Sequence, residues 1–228
     1  MRGYGQFCPV AKAAEVFAER WTPLVVRELL AGSAHFNDLH RGVPLMSRTL
    51  LSLRLKQLED YGVVTRTRGA RGSEYGLTEA GRELAPLVQL LGEWGQRRYR
   101  TRYVKEELDV RVLMWDLRRM VKPEAFPPGR VCAQFEFSDV PATKRTWWLV
   151  SSESEVDLCP TDPGFDVDLF VRTEVKCLAR VFLGDLSLRA ALAAGKIELE
   201  GARAFRQGFE KWLGLSRFAD IKSAKQAA

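Results

Sequence analysis

Any metal or nucleophilic site would have to be built from two histidines, His35 and His40, and four cysteines, Cys8, Cys132, Cys159 and Cys177. The histidines lie five apart, no two cysteines form a CxxC pair, and no acid cluster completes a zinc set. There is no P-loop, no GxGxxG after a strand and no GxSxG nucleophile elbow. Asp157, Asp162, Asp166 and Asp168 lack the spacing of a calcium loop. No enzyme and no cofactor are expected. A different chemistry is open to the basic and hydroxyl residues. Ser47, Arg48, Thr49, Ser52 and Lys56 fall within ten residues, and Arg66, Arg68 and Arg71 within six. Guanidinium, ammonium and hydroxyl groups at this density suit phosphate oxygens and base edges.

Such groups need rigid elements to present them. Residues 10–20 form an amphipathic helix pattern with Ala13, Val16 and Phe17 on one stripe. Thr22 and Pro23 offer an N-cap and a first-turn proline for a helix over 24–31 that ends at Gly32. A short amphipathic piece over 35–40 closes at Gly42-Val43-Pro44, and Ser47 caps a longer helix over 48–61 that stops at Gly62. On that helix Leu51, Leu55 and Leu58 share one side, with Met46, Leu50 and Leu53 flanking another. The exposed sector carries Arg48, Thr49, Ser52 and Lys56, with Glu59 and Asp60 at its far end. Arg54 falls between the two apolar stripes, as a structural or phosphate-positioning residue. Residues 63–68 and 74–77 read as strands around a glycine-rich loop, and Thr78-Glu79 opens a last helix through Leu84, Leu87, Leu90, Leu91 and Trp94. Three short helices and a hairpin make a winged helix-turn-helix. In that arrangement the N-terminal turns of the recognition helix enter the major groove, and a basic hairpin tip suits phosphate or the minor groove.

Charge agrees with this placement. The chain has 228 residues, 35 Lys+Arg against 29 Asp+Glu, and a formal charge of +6. Up to Arg102 there are 16 basic and 10 acidic residues, and beyond it 19 of each. The whole excess therefore sits in the first part, which predicts a polyanionic partner there. Aromatic residues lean the other way, nine against fourteen.

The stretch from Tyr4 to about Arg100 resembles the HxlR-type winged-helix transcriptional regulators. The segments that carry the resemblance are CPVAKAAEVFAERWTPLVVRELLAG, HFNDLHRGVPLMSRTLLSLRLKQLEDYGVV and YGLTEAGRELAPLVQLLGEWG. It implies double-stranded DNA as partner and a homodimer in which the N-terminal segment and the helix after the wing pack across a twofold axis. Several members of the family sense oxidants through a cysteine near the N-terminus, and Cys8 matches that position. Sensing would need a lowered thiol pKa, for which the helix start at Cys8-Pro9 and the nearby Lys12 provide a setting.

Beyond residue 110 the pattern differs. Residues 110–121 continue as an amphipathic helix, with Pro123 and Pro127-Pro128-Gly129 after it. Then the period becomes two. Val131, Ala133, Phe135 and Phe137 alternate with Cys132, Gln134 and Glu136, and similar patterns occur around 147–150, 156–158, 167–171 and 197–199. Helices are expected over 173–183, 187–194 and 202–213. A one-sided antiparallel sheet covered by helices makes this half an α+β domain. The run VDLFVRTEVKCLARVFLGDLSLRAALAAGKIELEGARAFRQGFEKWLG makes it similar to sterol carrier protein 2-like domains. That resemblance implies an apolar small-molecule or lipid ligand held between sheet and helices, with Trp147, Phe170, Phe182, Phe205, Phe209 and Trp212 as candidate lining residues.

The expected organisation is α+β. An N-terminal winged helix-turn-helix domain (1–104) serves DNA binding and dimerisation, and an SCP2-like domain (105–228) serves ligand binding or assembly. A cytoplasmic location is expected, since apolar runs are too short for a membrane span and no secretory signal precedes residue 10. The expected function is sequence-specific DNA-binding regulation, with the second domain as effector site. The alternative is a lipid or small-molecule carrier whose winged helix mainly supplies dimerisation.

Overall fold

The computed structural model describes residues 3–70, 72–99, 108–152 and 155–222. The chain divides into two compact units, Met1–Trp94 and Gly95–Ala228.

The first unit runs α1 (Pro9–Phe17), α2 (Thr22–Leu30), α3 (Phe36–Gly42), α4 (Arg48–Asp60), β1 (Val64–Gly69), β2 (Gly72–Leu77), α5 (Glu79–Arg82) and α6 (Ala85–Tyr99), the last extending past the unit's end. Its core is one cluster of Val25, Val26, Leu29, Leu39, Met46, Leu51, Leu55 and Leu58 with their neighbours. Burying each leucine there stabilises the fold by roughly 1.5–3 kcal/mol. β1 and β2 pair antiparallel from Val64 opposite Leu77 to Gly69 opposite Gly72, and Gly72 takes the positive φ of 106° that a tight return requires. A bridge between His35 and Glu74 ties the start of α3 to this hairpin.

Two local expectations shift. Thr22 is not the cap of α2. Trp21 occupies that place with a left-handed φ of 77°, so the helix begins one residue earlier and the Thr22 hydroxyl is buried without a partner. The helix after the wing is two helices, α5 and α6. Pro86 lacks an N–H and would clash with a preceding carbonyl, so it is tolerated only in the first turn of a new helix.

The second unit runs α7 (Val110–Met120), β3 (Val131–Phe137), β4 (Thr146–Ser152), β5 (Glu155–Cys159), β6 (Leu169–Thr173), α8 (Val175–Phe182), α9 (Leu188–Ala193), β7 (Ile197–Gly201) and α10 (Arg203–Trp212). The sheet order is β5-β4-β3-β6-β7. It is mixed rather than antiparallel, because β3 and β6 pair in parallel. The chain between β5 and β6 returns across the sheet without a helix, which sends β6 in the direction of β3. One face is apolar as expected. Ala133, Phe135, Phe137, Leu149, Leu169, Val171 and Ile197 join Met114, Leu117, Leu178, Val181, Phe209 and Trp212 in a single core. Asp109 caps α7, its Oδ1 accepting from Arg111 N at 2.9 Å.

Candidate nucleic-acid interface

α4 is positioned from its N-terminal end and from beneath. Ser47 Oγ accepts a hydrogen bond from Leu50 N at 3.2 Å, the N-cap that starts the helix where its polar turns begin. Leu51, Leu55 and Leu58 are at most 1% exposed and fix its rotation. Arg54 is buried too. It forms an ion pair with Glu19 at 3.2 Å and donates to Gln57 Oε1 at 2.6 Å, which makes it a structural tie between α4 and the α1–α2 turn.

The rotation so fixed leaves Arg48, Thr49, Ser52 and Lys56 exposed, with Ser47 beside them. Arg48 is pre-ordered. Its Nη2 donates to Asn37 Oδ1 at 2.7 Å and its guanidinium lies 4.9 Å from the Phe36 ring centre. Lys56 is less available than its position implies, because its Nζ donates to Asp60 at 2.7 Å and lies 3.7 Å from Glu59. The hydrogen bond it donates to Asp60 and the two carboxylate charges hold its ammonium above the ordinary lysine range.

Arg66 and Arg68 project from the same side of β1. Arg66 donates to Ser73 Oγ at 2.8 and 3.0 Å and sits 5.8 Å from the Tyr75 ring centre. Arg68 is exposed. Arg71 lies outside the described residues.

One residue of this face escapes a reading by residue type. Leu53 is 51% exposed. Leucine at helical spacing reads as core, and only the fixed rotation of α4 shows that 53 belongs to the sector of 49, 52 and 56.

Cys8 stands at the N-cap of α1, followed by Pro9 in the first turn, and is half-buried. Lys12, the cation one turn away, is engaged elsewhere: its Nζ lies 3.3 Å from Glu15. On α6, Leu87, Leu90, Leu91 and Trp94 form an exposed stripe at helical spacing, and Tyr4, Phe7 and Val10 are also exposed.

In the second unit the six aromatic residues do not share one cavity. Phe209 and Trp212 are close-packed, edge to face with centres 4.9 Å apart, and Phe126 stacks on Trp212 at 4.7 Å. Trp147 and Phe182 are buried in the same core, and Phe205 packs at its margin. Phe170 corrects the expectation outright. It alternates with the buried Leu169 and Val171, so it lies on the opposite face of the sheet, beside Arg172. A cleft of about 750 Å³ does open in this unit, but Arg145, Arg172, Lys176, Arg180 and Lys196 are among its lining residues and none of the six aromatics is. Among the described residues no three His, Cys, Asp or Glu converge as a metal set, and no helix is long and apolar enough to cross a membrane.

A capped helix with a polar, cation-bearing face, held against two others and followed by a basic hairpin, defines a winged helix-turn-helix DNA-binding unit. The profile of the HxlR-like helix-turn-helix family matches residues 16–103. The uncharacterized HTH-type transcriptional regulator YvaP of Bacillus subtilis is 38% identical over 93 residues, spanning 39% of this chain and 86% of that protein. The uncharacterized HTH-type transcriptional regulator Rv3095 of Mycobacterium tuberculosis is 40% identical over 91 residues, 38% of this chain and 56% of that one. Among solved structures, the redox regulator HypR in its oxidized form is 32% identical and matches 42% of this chain and all of that chain, with a TM-score of 0.38. The chain belongs to the HxlR-like helix-turn-helix family.

Proposed function

We propose that this protein is a homodimeric transcriptional regulator that reads double-stranded DNA with α4 and braces the reading with its wing. DNA-binding regulation follows from the family to which the chain belongs. The finer assignment is our own. Ser47, Arg48, Thr49, Ser52, Leu53 and Lys56 face the major groove, and Arg66, Arg68 and Arg71 engage phosphate or the minor groove. The observation that carries it is the ordered Arg48, held by Asn37 and Phe36 at the N-terminal turn of a helix whose rotation the core fixes. Arginine fixed in this way loses little side-chain entropy when it pairs with guanine or phosphate.

The second unit is the candidate effector domain. Its one-sided sheet beneath helices supports the likeness to sterol carrier protein 2-like domains, whereas the packing of Phe209 and Trp212 gives no support to a lipid site at those rings. Cys8 is the candidate redox position.

The test is fluorescence anisotropy of the protein on DNA from upstream of its own gene and on scrambled DNA, at several salt concentrations. A preference of ~10³-fold or more supports the regulator. Equal binding to every duplex, including duplexes enriched from a random library, would overturn sequence-specific reading and favour the carrier alternative.

A further inference from the structure

The cleft in the second unit has a charge pattern that the rest of that unit lacks. Basic and acidic residues balance beyond Arg102, yet five cations from four separate segments line this one concavity: Arg145 before β4, Arg172 on β6, Lys176 and Arg180 on α8, and Lys196 before β7. Arg172 is spent. It pairs with Glu200 at 2.7 Å and Glu136 at 3.6 Å, with Glu198 opposite it in register. The side chains of the other four make no ion pair among the described residues, and Glu174 and Glu198 are the lining acids left beside these four cations. Nor is the start of α8 what draws an anion here, because Asp139 Oδ1 already accepts from Val175 N at 2.8 Å. Four unpaired cations facing one cavity repel one another, and a bound anion relieves that cost. The volume, about 750 Å³, is that of a small-molecule site. We propose that the cleft binds a small polyanion carrying at least two ionised phosphate or carboxylate groups, with Arg145, Lys176, Arg180 and Lys196 as its ligands. Arginine forks suit either group.

The test titrates the full chain calorimetrically with pyrophosphate and, separately, with citrate, at constant ionic strength. Both are measured on the native protein, on R180E/K196E and on R203E, which makes one such charge reversal at an exposed cation outside the cleft. Saturable binding that weakens at least tenfold in R180E/K196E and is unchanged in R203E is the expected result. Whichever probe binds more tightly names the anionic group. A neutral pair, R180Q/K196Q, with an unchanged melting temperature guards against a folding defect. No saturable binding of either probe, or equal loss in R203E, overturns the proposal. So does a loss of DNA affinity in R180E/K196E that matches the loss of probe affinity, since the cleft would then be a nucleic-acid surface.

A second inference rests on the DNA reading above and on a different observation. Thr49, Ser52, Leu53 and Lys56 follow the i, i+3, i+4, i+7 spacing of one helix face, and Leu53 exposes half of an apolar side chain in its middle. The apolar group that a base offers in the major groove is the 5-methyl of thymine. We infer that Leu53 is a specificity-determining residue that contacts a thymine methyl in each half-site. Selection from random duplexes provides the motif, and replacing its thymines one at a time by deoxyuridine removes a single methyl. One such replacement is expected to weaken the native protein about fourfold and to leave L53A unaffected. Recovery of no motif would defeat the DNA reading itself. A motif with the same deoxyuridine penalty in both proteins would defeat only the role of Leu53.

Discussion

Arg48 and Arg68 carry the same charge but are held differently, and the difference predicts different losses. Arg48 is fixed by Asn37 Oδ1 and the Phe36 ring, while Arg68 is exposed on a strand whose neighbour Arg66 is tied to Ser73. Arg48→Ala is expected to relax sequence preference at one base position and to cost about 1–3 kcal/mol there. Arg68→Ala is expected to weaken all duplexes alike and to reduce the salt slope by about one. Anisotropy titrations over a salt series distinguish the two, and identical behaviour of both variants would contradict the division of labour. Residue identity alone was enough to nominate both arginines. It could not show that Lys56 is already paired with Asp60, because an i, i+4 acid leaves open whether the lysine turns to it or to a ligand. The face of Phe170 is legible in the sequence, since its alternation with Leu169 and Val171 places it opposite them.

At the scale of elements, the sequence shows most where structure is local. The caps of α4 and α5 at Ser47 and Thr78 are visible in residue type and spacing, and both accept the expected backbone hydrogen bond. Strand direction is not visible in the same way. A period of two states which face is buried and says nothing of which way the strand runs, so the parallel β3–β6 pair had no signal. Contacts between elements are equally silent. Gly42 ends α3 directly over the fully buried Glu28 carboxylate of α2, which Arg27 pairs at 2.8 Å while donating to the Gly42 carbonyl at 3.0 Å. A Cβ at 42 would fall on that carboxylate. Gly42→Ala is therefore expected to destabilise the first unit by about 1–3 kcal/mol, read as a lower denaturation midpoint. An unchanged midpoint would mean that α2 and α3 separate at little cost. The cap of α7 makes a pH prediction. Burial raises the Asp109 carboxyl, but the hydrogen bonds and charge of Arg111 outweigh it and hold the group below its ordinary value. A depressed carboxyl contributes stability that is present above its unfolded value, about 3.9, and that is lost as pH falls through the folded value. Asp109→Asn keeps a good cap and is expected to remove that acid-sensitive part. Asp109→Ala is expected to cost about 1 kcal/mol at neutral pH as well. Parallel acid-unfolding curves for the native protein and Asp109→Asn would refute the assignment.

For the whole molecule, the proposed homodimer needs a surface that brings two winged helices to one operator. α6 presents Leu87, Leu90, Leu91 and Trp94 on one stripe, each between 44% and 60% exposed, and Phe7 is fully exposed on the segment before α1. Apolar groups gathered along one face of a helix mark an interaction surface, whereas scattered ones do not. A second copy of the chain is the partner that suits a twofold operator, because a C2 contact presents the same stripe from both sides. A dimer built there would set two α4 helices against half-sites about one helical turn of DNA apart. Leu90→Glu with Leu91→Glu puts two carboxylates into such a contact without touching the α4 face. The double variant is expected to sediment as a monomer at concentrations where the native protein is a dimer. It is also expected to lose its preference for an operator with two half-sites over a single half-site, while its affinity for the single half-site is unchanged. Insertion of about half a turn of DNA between the half-sites should weaken the native protein and leave the monomeric variant indifferent. If the variant remained a dimer, the stripe would not be the dimer contact. If it became a monomer yet kept its preference for paired half-sites, dimerisation would not be how this protein selects its operator.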